Sequence, residues 1–172
     1  MPPRTHAAGK LRAHNEGEEV VLAGWLLQGR KLSRNHSFHL LRDSTGVVQL
    51  VVWSEELVQQ LQTVPMESVV HVRGTVRCRP PGMFNRTQET GEVEIKVHSW
   101  TLLNAASTSL PFQPSEQHNL PNEEVRAKNR FLDLRRVDLT SNIRLRSRVA
   151  HKIRCHLHDQ GELGTDAALH DV

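Results

Sequence analysis

Five segments between residues 18 and 104 alternate apolar and polar side chains at the period of a β-strand. They are EEVVLAGWLLQGRKL (18–32), HSFHLLRD (36–43), GVVQLVVW (46–53), SVVHVRGTVRCR (68–79) and EVEIKVHSWTLLN (92–104). Gly24 and Gly74 interrupt the first and fourth segments where a barrel strand would bend. A DSTG turn joins the second and third. Ser54, followed by EELVQQLQ, supplies an N-cap and first-turn acids for one short helix between the third and fourth. A sandwich would need more strands. The pattern predicts a mainly β protein, a small closed five-stranded barrel of the OB type.

At 172 residues the chain has room for one domain with a core and an appendage. After residue 104, SLPFQPSEQHNLPNEE carries Pro111, Pro114 and Pro121 and is expected to be a linker. A helix is expected from about Thr140 to Leu157, with Ile143, Ala150, Ile153 and Leu157 forming one apolar stripe. The net charge is only +3, but Arg126 to Arg154 holds ten basic residues against Asp133 and Asp138. That asymmetry suits a polyanionic partner or a solvated helix face.

Cys78 and Cys155 form neither a disulfide framework nor a CxxC pair, which points to a reducing compartment. There is no apolar run of the roughly 20 residues a membrane span needs, so no membrane partner is expected. The first fifteen residues, MPPRTHAAGKLRAHN, contain Arg and Lys without an acid, a composition faintly like a transit peptide but broken by prolines. His151, Cys155 and His158 fall on one helical face without a fourth ligand, so no metal is expected. GxSxG, HExxH and P-loop patterns are all missing.

With a two- or four-residue loop at DSTG, Phe38 faces Val51 and Leu40 faces Gln49. Phe38, Leu40, Arg42, Val47, Gln49 and Val51 then share one face, and His39, Leu41, Val48, Leu50 and Val52 form the more apolar, core-facing set. Only 4% of the chain is aromatic, so an aromatic ring beside an amide on the mixed face is informative. A ring can stack on a single-stranded base and an amide can pair with a base edge. The alternative is that Phe38 caps the barrel core while Gln49 meets water. Arg30, Lys31, Arg77 and Arg79 could track a phosphate backbone or simply decorate the barrel rim.

Taken in order, GWLLQGRKL, FHLLRDSTGVVQLVV, VRGTVRCR, TGEVEIKV and RFLDLRR resemble the N-terminal part of aspartate–tRNA ligases of the bacterial and mitochondrial type. PMESVVHVRGTV and GEVEIKVHSWTLLNA look most like the vertebrate mitochondrial enzymes. The resemblance implies an OB barrel over 1–104 that grips the anticodon loop of tRNA(Asp), whose bases are GUC. It further implies a linker over 105–130, the start of a truncated class II catalytic domain over 131–160, and a divergent tail over 161–172. Phe38 would stack on an anticodon base, Gln49 would read the central uracil, and Arg30 would belong to the same site. Glu94 would accept from a guanine, and Arg77 and Arg79 would lie near the loop backbone. The family's run of arginines after Gly-Trp is here Gln28-Gly29-Arg30. After HDQG the chain reads ELGTDAALHDV, without the family's second and third catalytic motifs. The resemblance therefore implies no cofactor for this chain, although full-length members use ATP and Mg, and no activity by it alone. It leaves open an incomplete ligase, or a regulatory fragment that binds full-length aspartate–tRNA ligase. It implies the mitochondrial matrix, with the cytoplasm as the alternative.

Overall fold

The computed structural model describes residues 3–116 and 119–163, except the side chain of Gln28, and divides into two compact units, 1–109 and 110–172. In the first unit the five alternating segments become strands. They are β1 (Glu19–Ser33), β2 (His36–Arg42), β3 (Val47–Val52), β4 (Val69–Cys78) and β5 (Val93–Asn104), with α1 (Glu55–Gln62) between β3 and β4. They close into a barrel in the order β1-β2-β3-β5-β4, with β4 paired back to β1. All neighbours are antiparallel except β3 and β5, which run parallel. The OB-type expectation is met.

Alternation places the core. Leu41, Val48, Leu50 and Val52 are buried inside with Val20, Leu22, Val70, Val72, Val76, Val93 and Ile95. The hairpin register is the expected one: Phe38 pairs with Val51, Leu40 with Gln49 and Arg42 with Val47 around a four-residue loop. Gly24 and Gly74 sit where strands pass too closely for a side chain. A Cβ on Gly24 would run into the Arg42 carbonyl, and one on Gly74 into the Lys96 carbonyl.

Both barrel ends are closed. The Ser54 side chain caps α1 by accepting from Leu57 N, and Val58 and Leu61 enter the core. At the DSTG turn, the N-terminal segment docks through single 3-10 turns at Ala8–Lys10 and Ala13–Asn15. Ala8 and Leu11 join the core from this segment. Asp43 organises the turn, accepting from Thr45 N (2.7 Å), Thr45 Oγ1 (2.6 Å), Gly46 N (3.2 Å) and, from the docked segment, Ala8 N (2.8 Å). Gly9 N donates to Thr45 Oγ1 at 2.9 Å.

The second unit holds α2 (Glu123–Lys128), α3 (Arg130–Asp133) and α4 (Val137–Asp159). α2 forms inside the stretch expected as linker because Asn122 caps it and Glu123 and Glu124 occupy its first turn. α4 begins three residues before the expected start, with Asp138 in its first turn. Asp133 is fully buried and gathers Arg126 (3.1 Å), Arg130 (3.1 Å) and Arg136 (3.4 Å). Burial works to raise its carboxyl pKa, but the hydrogen bonds and charges of Arg126 and Arg136 prevail and lower it. The tail expected to diverge lies outside the described residues from 164 onward.

Candidate nucleic-acid interface

The outer face of the barrel, opposite the core set, brings five of the six candidate residues into two neighbouring rows. Parallel pairing of β3 with β5 sets Gln49 opposite Glu94, and β5–β4 pairing sets Glu94 opposite Arg77. One row therefore runs Leu40, Gln49, Glu94, Arg77 across four strands. The next runs Arg30, Phe38, Val51, Lys96, Thr75 across all five. Lys96 escaped notice in the sequence, although the alternation of EVEIKV already put it on the face of Glu94.

Gln49 and Glu94 touch: the amide Nε2 donates to Glu94 Oε2 at 3.1 Å. An ionised carboxylate only accepts, so the contact fixes which end of the amide is nitrogen. The Gln49 carbonyl oxygen and one amide hydrogen remain available to a ligand. Phe38 is half-buried, one strand away and diagonal to Gln49. Arg30, Arg77 and Lys96 are exposed around this polar and aromatic centre.

Arg79 is placed differently. It lies just past β4, is only 7% exposed, and donates through Nε to the Val93 carbonyl at 3.1 Å while its backbone N–H bonds Glu92. Burial pushes its pKa down and the charge of Glu94 partly offsets that. Its Nη2 is buried without a hydrogen-bond partner. Arg42, on the Phe38 face by register, turns to a buried ion pair with Glu67 at 2.7 Å and lies 5.8 Å from the Trp25 ring centre. It braces the barrel wall.

Beside Phe38 the sequence hid a larger aromatic group. His36 stacks on Trp53 with ring centres 3.8 Å apart and planes 14° apart, and meets Phe38 edge-on at 4.9 Å. Extending the hairpin register by one pair past Ser37 and Val52 sets His36 against Trp53, a signal available in the sequence. Among the described residues no cluster of three or more His, Cys, Asp or Glu is placed to hold a metal. Cys155 and His151 approach only to 3.6 Å on α4.

A barrel face carrying stacking, amide and cationic groups is the arrangement by which OB folds bind single-stranded nucleic acid. Residues 20–103 match the OB-fold nucleic acid binding domain family. Over 162 residues the chain is 41% identical to the mitochondrial aspartate–tRNA ligase of Bos taurus, covering 90% of this chain and 24% of that one. Over 161 residues it is 45% identical to the aspartate–tRNA(Asp/Asn) ligase of Pseudarthrobacter chlorophenolicus, covering 92% and 25%. The chain is homologous to the N-terminal OB-fold part of aspartate–tRNA ligases. It spans about a quarter of the length of these curated ligases. Their compartments divide between mitochondria and bacteria. The fold is shared with the aspartyl-tRNA synthetase of Entamoeba histolytica (TM-score 0.79, 22% identity, 92% of this chain and 38% of that one). It is also shared with the asparaginyl-tRNA synthetase of Pyrococcus horikoshii (TM-score 0.80, 22% identity, 98% and 37%).

Proposed function

We propose that the outer barrel face binds the anticodon loop of an aspartate tRNA, with Phe38 stacking on a base that Gln49 reads. The observation that carries this reading is the Gln49–Glu94 contact beside Phe38. Uracil presents an imino N–H between two carbonyls, whereas cytosine presents a bare ring nitrogen beside an amino group. A base held in place by the ring therefore meets Gln49 with matched or opposed polarity. Glu94 supplies the fixed orientation and, through its second oxygen, an acceptor for a neighbouring guanine. Arg30 and Arg77 would meet loop phosphates, and so would Lys96. Arg79, buried with its Nε on the Val93 carbonyl, would instead hold the end of β4 in place. The test is the affinity of the 172-residue chain for an RNA hairpin carrying GUC in its loop, against one with cytosine at the central position. Tighter binding of GUC at physiological salt is expected, and equal affinity overturns base reading.

Binding is the whole activity assigned to this chain. Activation of aspartate with ATP belongs to the remaining length of the full ligases, and ATP–pyrophosphate exchange by the pure chain is expected to stay at background. The mitochondrial relatives support a mitochondrial compartment, checked by fractionating cells that express the chain. A second reading has its own observation: Ile143, Val149, Ile153 and Leu157 are exposed along α4. That stripe supports docking onto an intact ligase, which co-purification of the two chains tests.

A further inference from the structure

Among the described residues Trp53 is the most exposed tryptophan, at 52% for the whole residue, while Trp25 and Trp100 are partly covered. A large aromatic at a strand end usually finds cover in the core or under a loop. Trp53 instead lies on the outer face with one side of the indole laid against His36. The imidazole holds that ring nearly parallel to itself, so a second planar group can add to the stack with little ordering cost. Phe38 touches the same imidazole at its edge, which makes Phe38, His36 and Trp53 one continuous aromatic strip.

We propose that Trp53, oriented by His36, is a second stacking platform, which takes a loop nucleotide flanking the one on Phe38. This rests on the anticodon-loop reading and extends it beyond the triplet. The imidazole stands between the two platforms, with the Trp53 ring 14° from its plane and the Phe38 ring 68° from it. The platforms are therefore steeply inclined to one another, so one base cannot stack on both, and they suit two successive bases splayed apart on a single strand. The flanking base is held by its face, so the platform adds affinity without reading sequence.

The experiment measures binding of the full chain to the GUC hairpin and to hairpins in which each nucleotide flanking the triplet is made abasic in turn. Trp53→Ala is expected to weaken the intact hairpin about fivefold to a hundredfold, and Trp53→Phe to recover most of that. Preference for the central uracil should survive both changes. One flanking abasic position should weaken the wild-type chain to a similar extent, and on that hairpin Trp53→Ala should cost nothing more. Equal losses for Trp53→Ala on intact and abasic hairpins would overturn the platform, as would a wild-type chain indifferent to every flanking abasic site. The abasic series and Trp53→Phe decide the matter even if the alanine variant fails to fold. A silent Trp53→Ala beside a damaging Phe38→Ala removes the platform alone. Failure of the wild-type chain to prefer GUC removes the anticodon reading itself.

Discussion

Gln49 on β3 donates its amide to Glu94 on β5 at 3.1 Å, joining the two parallel strands of the barrel across its outer face. The contact makes Glu94 the positioning partner of the amide. Glu94→Ala frees Gln49 to rotate, so the variant should lose most of its preference for uracil over cytosine while keeping much of its affinity. One hydrogen bond to a charged group is worth about 1.5–3 kcal/mol. In a double-mutant cycle of Gln49→Ala and Glu94→Ala, the combined loss of discrimination should fall well short of the sum of the single losses. Additive losses would show that the two residues act independently.

Phe38 is half-buried on the outer face, outside the core cluster that stabilises the barrel. Phe38→Ala should therefore weaken hairpin binding by about 1–3 kcal/mol, the usual worth of one stacked base. Chemical denaturation should show a smaller loss than the 3–5 kcal/mol typical of a core phenylalanine. A collapse in stability would mark the ring as a cap on the core.

Arg30, Arg77 and Lys96 are exposed, whereas Arg79 is buried. Each exposed cation that meets a phosphate should contribute about 0.7 to the slope of log K against log salt. Replacing Arg77 or Lys96 with Gln should shallow the slope by about that much and leave folding intact. Arg79→Gln should lower the unfolding free energy by about 1–3 kcal/mol, because it removes a bond to the Val93 carbonyl. A titration series in potassium chloride separates the two classes.

Local pattern carried much of this architecture. Alternation in 36–53 separated an apolar face from a mixed one and, given an even loop at DSTG, put Phe38 one pair away from Gln49, as the four-residue loop does. The Gln49–Glu94 contact was out of reach because it depends on a parallel pairing between strands that α1 and β4 separate in the chain. Alternation also could not tell Arg77 from Arg79: both fall on the same strand face, but the Arg79 side chain is buried with its Nε on the Val93 carbonyl. The docking of residues 5–11 was equally hidden. It comes from backbone donors of Ala8 and Gly9 meeting Asp43 and Thr45, and backbone donors leave no trace in a hydropathy pattern.

Asp43 ties that N-terminal segment to the hairpin turn. Burial tends to raise its carboxyl pKa, but four donated hydrogen bonds, led by those of Thr45, hold it below the usual carboxylate range. Asp43→Ala should cost about 2–3 kcal/mol of stability and release the segment to proteolysis near Ala8. Because the folded pKa is depressed, the stabilisation is full above the unfolded value of about 3.9 and is lost as pH falls through the folded value. Urea midpoints of wild type and variant should therefore differ at pH 7 and converge as the pH falls well below 4.

His39 gives the fold a second acid sensitivity, at milder pH. Its ring points inward at 5% exposure, and its Nε2 lies 3.0 Å from Ser37 Oγ. Gly29 leaves space for the ring, since a Cβ there would run into Nδ1. Burial lowers the imidazole pKa below its ordinary value of about 6.5. The unfolded chain therefore takes up a proton at a pH where the folded chain still refuses it. Between the two pKa values the unfolded state binds more protons, and stability rises with pH. The contribution is full above about pH 6.5 and is lost as pH falls from there toward the folded value. Tm measured from pH 7.5 down to pH 5 should decline across that window in the wild-type protein. His39→Leu, which carries no proton, should flatten the decline while leaving the loss below pH 4 to which Asp43 contributes. An unchanged slope between pH 5 and 6.5 in the variant would assign the sensitivity to another group.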